Sequence, residues 1–173
     1  MKKTIFRFLS VFVYLVFILH TFAFSEEIDT REFQGGVLLY EFSQFKEKDW
    51  PKQFIDKLLT CSDCPGIDGY LPDFYTKGVV LKIDDKVYRL PEHLTQDLYD
   101  PHVGKAFYAD ALRVVKVNKT IIINMSGGDG SGAYKAKFTI NLENKTVRRE
   151  LFQHPNIEKA QIKEGKVKVE TGK

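Results

Sequence analysis

Cys61 and Cys64 are the only two cysteines of this 173-residue chain, and they stand in a C-x-x-C spacing. Two thiols so placed can close a short disulfide, exchange disulfides with a substrate, or supply half of a metal site. Exchange needs a favoured thiolate, which the N-terminus of a helix commonly provides. Here the helical pattern precedes Cys61, so the thiol meets the negative end of the dipole. Pro65-Gly66 argues against a new helix starting at Cys61. A c-type haem needs His directly after the second cysteine, and Pro65 stands there. A zinc site lacks its second pair of ligands. We read Cys61 and Cys64 as a disulfide, with redox exchange as the alternative.

A second group is Glu92, His93, Asp97, Asp100 and His102. If residues 91–100 hold a short helix, His93 and Asp97 share a face. With His102 they would form a His/Asp/His zinc site, the basis for an envelope hydrolase. The spacing is loose enough to arise as an ordinary polar loop. No G-x-S-x-G elbow frames Ser126 or Ser131. No catalytic residue, metal or cofactor is therefore expected, and the histidine group stands as the alternative.

Two loops have compositions suited to contact. Gly127-Gly128-Asp129-Gly130-Ser131-Gly132 runs from strand into strand, unlike a dinucleotide fingerprint, which runs from strand into helix. It contains one acid, too few for a calcium loop. Its glycines suit a wide turn with positive φ, and four of them exceed what one tight turn needs. Gly128, Asp129, Gly130 and Ser131 are its candidate contact residues. The second loop, residues 66–78, is aromatic, with Tyr70, Phe74 and Tyr75 stiffened by Pro72. Tyr and Phe bring large contact area at few torsions, although such rings also cover core edges. Asn118-Lys119-Thr120, Asn124-Met125-Ser126 and Asn144-Lys145-Thr146 match the glycosylation sequon, which is short and falls readily at turns.

Ser131-Gly132-Ala133-Tyr134 resembles the Ser-Gly/Tyr motif of exported bacterial lysozyme inhibitors, small β-rich proteins that insert a loop into the enzyme cleft. The resemblance covers those four residues, and the rest of the chain does not align with that family. It suggests a test and assigns no membership.

The elements that must carry these residues are mainly strands. Residues 133–142 alternate strictly, with Tyr134, Ala136, Phe138, Ile140 and Leu142 on one side, as in an antiparallel sheet with one wet face. Ile121-Ile122-Ile123 lacks alternation and predicts a strand covered on both faces. Hairpins are predicted across Asp84-Asp85, Asn118-Lys119 and Glu143-Asn144-Lys145, with a Lys-rich final one about Glu164-Gly165. Residues 26–34 read as a loose polar lead-in. The one firm helix follows Asp49 as cap, with Pro51 in its first turn and Trp50, Phe54, Ile55, Leu58 and Leu59 at helical spacing. The expected fold is α+β: a mainly antiparallel meander, as a sandwich or partial barrel, with one packed helix.

Residues 1–25 supply an address. Lys2, Lys3 and Arg7 precede an apolar run over 8–24, closing on Ala23-Phe24-Ser25, the plan of a secretory signal peptide. An uncleaved anchor is the alternative, but the run falls slightly short of the roughly 20 residues a span needs. Without Lys2, Lys3 and Arg7 the chain balances 23 basic against 23 acidic residues. That balance gives no electrostatic reason to seek nucleic acid or acidic lipid. Residues 26–173 suit one domain, able to fold without a disulfide framework. The expected protein is a periplasmic or secreted non-catalytic binding domain, inhibition of a protein being one form, with an unidentified protein or envelope ligand as partner.

Overall fold

Period-two patterning is realised in β7 (Tyr134–Asn141), which buries Tyr134, Ala136, Phe138 and Ile140 and turns Lys135, Lys137 and Thr139 outward. The computed structural model describes residues 26–61, 63–103, 111–154 and 160–171; the expected signal peptide lies outside them. β7 is the centre of a five-stranded sheet ordered β5 (Leu112–Val117), β6 (Thr120–Gly127), β7, β8 (Thr146–Gln153) and β9 (Gln161–Lys166). The other sheet runs β1 (Glu26–Phe33), β2 (Gly36–Gln44), β3 (Phe74–Ile83), β4 (Lys86–Arg89) and β10 (Lys168–Thr171). Every pairing is antiparallel. The expected α+β architecture is therefore present as two antiparallel sheets, a meander of β5 to β9 and a meander of β1 to β4 extended by β10, with one α-helix among the described residues, α1 (Lys52–Leu59).

One core fills the space between the sheets. Leu38, Tyr40, Val79 and Leu81 come from one sheet, and Ile121, Ile123, Phe138 and Leu151 from the other. Arg149 is fully buried among them. A smaller cluster lies under α1, where Ile55 and Leu58 meet Phe45, Ile67 and Tyr99.

Several expectations need correction. Residues 26–34 are no loose lead-in, because β1 pairs with β2 along its whole length from Glu26↔Ser43 to Phe33↔Gly36. The aromatic loop ends early, since Phe74 and Tyr75 already belong to β3. Ile122 is only half-buried while Ile121 and Ile123 are enclosed, so β6 has one core face and one outer face. Pro51 occupies the N-cap position and not the first turn, where its fixed φ still suits the helix entry. The final hairpin does not form. β9 pairs with β8 and β10 pairs with β4. The chain crosses between sheets at buried Val167, whose N–H donates to the Lys145 carbonyl at 2.8 Å. Residues 91–100 hold only a single 3-10 turn, Glu92–Leu94.

Candidate functional site

The Gly-rich loop needs its glycines because it packs backbone against backbone. Gly66 N–H donates to the Gly132 carbonyl at 2.8 Å, and Gly128 N–H donates to the Asp100 carbonyl at 2.9 Å. A Cβ on Gly132 would lie 2.7 Å from the Ile67 carbonyl oxygen, closer than carbon and oxygen tolerate. Gly128 and Gly130 also have φ of 64° and 54°, the left-handed region that glycine enters freely. A 3-10 turn, Gly130–Gly132, then delivers Ser131 to Asp68, whose carboxylate accepts from both the Ser131 N–H and its hydroxyl.

That docking joins the two loops singled out from the sequence. Between them lies a cleft of about 240 Å³. Asp68, Tyr70 and Phe74 line it from one loop, and Asp129 lines it from the other. Asp73, Asp100 and His102 complete the polar lining. Tyr70 stands at the rim, 81 % exposed. Asp100 is held firmly: its Oδ1 accepts from Phe74 N–H at 2.8 Å, and its own N–H donates to the Phe74 carbonyl at 3.0 Å. Its φ of 42° is tolerated by Asp better than by most residues. His102 Nε2 lies 3.5 Å from Asp129 Oδ1. Four carboxylates and one imidazole thus face a single opening, a field that favours a positively charged guest.

The other sequence candidates go elsewhere. Tyr75, adjacent to Phe74, points to the opposite side and packs edge-on against Trp50 with ring centroids 5.4 Å apart. Cys61 and Cys64 are bonded, with Cα atoms 5.6 Å apart. The bridge ties the end of α1 to the segment carrying Gly66 and Asp68. His93, Asp97 and His102 do not assemble. His93 Nε2 lies 3.1 Å from the Glu164 carbonyl, Asp97 faces Arg149 and Lys163, and His102 turns to Asp129. Without a continuous helix over 91–100, nothing aligns the first two. Among the described residues no group of three or more His, Cys, Asp and Glu is placed to hold a metal ion.

Burial pushes the Asp97 carboxyl upward, but hydrogen bonds from Arg149 and Lys163 outweigh it and hold the group below its ordinary range. Arg149 also donates to the Leu94 carbonyl at 2.9 Å. This pair fastens residues 94–97, which lead into the cleft, to β8. Burial pushes the Tyr40 and Tyr134 hydroxyls up, so both stay protonated. Thr76 donates to the Leu98 carbonyl at 2.9 Å, leaving Tyr40 to donate to the Thr76 hydroxyl.

Sequence reasoning missed Asp68 and Asp73 and placed Asp100 and His102 in the wrong company. The available signal was parity: residues 98–100 pair with the start of β3 through Thr76 N–H to Leu98 and Asp100 N–H to Phe74. No family model, curated protein or solved structure matches the chain.

Proposed function

We propose that the chain is an exported, non-catalytic binding domain whose ligand seats in the cleft between residues 66–74 and 127–132. The guest is a protein presenting a basic side chain, and blocking that protein's own site is one form the interaction takes. One observation carries this reading: the two contact loops, separated by more than fifty residues of chain, dock on each other around one carboxylate-lined opening. Exposed Tyr70 supplies apolar area beside it, the pairing of aromatic anchor and charge that marks binding surfaces. Export rests on the apolar leader of the sequence.

The test is recovery of partners from an envelope extract by the wild type, by Tyr70→Ala and by Asp129→Asn. Both side chains are exposed, so neither change disturbs the core. The reading expects a partner held by the wild type and lost by both variants. Equal recovery by all three proteins would defeat it.

A further inference from the structure

A second cavity lies on the far side of the Tyr75–Tyr99 bridge, which is an isolated antiparallel β-bridge. It has a volume of about 460 Å³, within the range of small-molecule sites. Its floor is aromatic: Trp50, Phe54, Tyr75 and Tyr99. The rings are locked on one another. Trp50 stacks on Phe54 at 4.7 Å and on Phe45 at 5.3 Å, with Tyr75 edge-on. A floor fixed in this way loses little freedom when a ligand arrives.

Tyr99 supplies a polar group, its hydroxyl, within this aromatic lining. The residue is only 7 % exposed, and it lines the cavity beside Tyr75 and Asp97. Burial, and then the nearby Asp97 charge, push this hydroxyl upward, so it stays protonated and offers a donor. Asp97 lines the same cavity, as do Glu92, Gln96 and Lys77. The rim therefore holds acceptors and donors of both charge signs over an apolar floor, and Asp97 is already balanced by Arg149 and Lys163. That chemistry suits a neutral ligand with one apolar face and several hydroxyls.

We infer that this cavity binds a saccharide ring, with Tyr99 donating to a sugar oxygen and the aromatic floor covering its CH face. The site is separate from the acidic cleft and does not depend on it.

Trp50 is the only tryptophan in the chain, so its emission reports on this cavity. The experiment titrates the protein with cellobiose and with N,N′-diacetylchitobiose, using tetramethylammonium chloride and an acetylated leucine peptide as competing probes. The proposal expects a saturable Trp50 response to at least one disaccharide and none to the other two probes. Tyr99→Phe keeps the ring and removes the hydroxyl. It should weaken that disaccharide about fivefold or more, the loss of one hydrogen bond, while melting at the wild-type temperature. No saturable response to either sugar would overturn the proposal. So would a response only to the cation or the peptide, or a Tyr99→Phe protein that binds the sugar as tightly as the wild type.

Discussion

Phe74 and Tyr75 are neighbours in the chain and line different cavities. Successive residues of a strand point to opposite sides, and here that parity sends Phe74 to the acidic cleft and Tyr75 to the aromatic cavity. Asp100 and Tyr99 divide in the same way across the bridge. One two-stranded wall therefore serves two openings. Tyr75→Ala should lower stability by about 2–3 kcal/mol, since it removes a half-buried ring from the Trp50 and Phe45 contacts. Tyr70→Ala should stay within about 0.5 kcal/mol of the wild type. Urea denaturation of the two variants checks the contrast, and equal losses would contradict it.

Asp97 gives the fold an acid sensitivity. Its carboxyl titrates lower in the folded chain than in the unfolded one because Arg149 and Lys163 hold its charged form. The stabilisation is therefore fully present above the unfolded value of about 4, and it is lost as pH falls through the folded value. Asp97→Asn leaves Arg149, fully buried, without its counter-charge and should cost on the order of 3 kcal/mol at neutral pH. Stability measured from pH 7 down to pH 2 should show the wild-type and variant curves converging in acid. Parallel curves would refute the assignment.

Gly132→Ala should distort the site and Gly69→Ala should spare it. A Cβ at Gly132 collides with the backbone of Ile67, while a Cβ at Gly69 meets nothing within 4 Å. The first change should cost about 1–3 kcal/mol by overpacking. The second pays only the backbone cost of its φ of 73°, about 1 kcal/mol. Amide exchange across residues 65–68 and 127–132 separates them, with faster exchange expected in Gly132→Ala alone.

The Cys61–Cys64 bridge closes a very short loop, so its stabilisation is about 2 kcal/mol in the chain-entropy account. A Cys61→Ala, Cys64→Ala double variant should remain folded with a correspondingly lower denaturation midpoint. Failure to fold would show that the bridge does more than anchor residues 65–68 to α1.

Much of the scaffold is readable from local pattern. Tyr134 to Ile140 alternate because one face of β7 is wet, and the turns at Asp84 and Asn118 take the positive φ that Asp and Asn accept. β1 escaped notice because it is an outermost strand of its sheet, and its less exposed face carries the ion-paired Asp29 and Arg31 where an inner strand shows apolar residues, while Ile28 faces outward. β9 and β10 read as a hairpin because their lysines hide a change of sheet at Val167. Arg149 was visible in principle: it shares parity with Val147 and Leu151 in β8, so an inward charge demanded a partner. Both contact loops are evident from composition. Their meeting is not, because it depends on Gly66 accepting the approach of Gly128 and Gly132 over a long separation in sequence.

Carboxylate charge at the cleft is the feature on which the binding account turns. The direct measurement is the affinity of a captured partner for the wild type and for an Asp73→Asn, Asp129→Asn double variant, with thermal melting as the control on folding. The account predicts at least a tenfold loss of affinity at an unchanged melting temperature, with a weaker dependence on salt. An affinity equal to that of the wild type would contradict it.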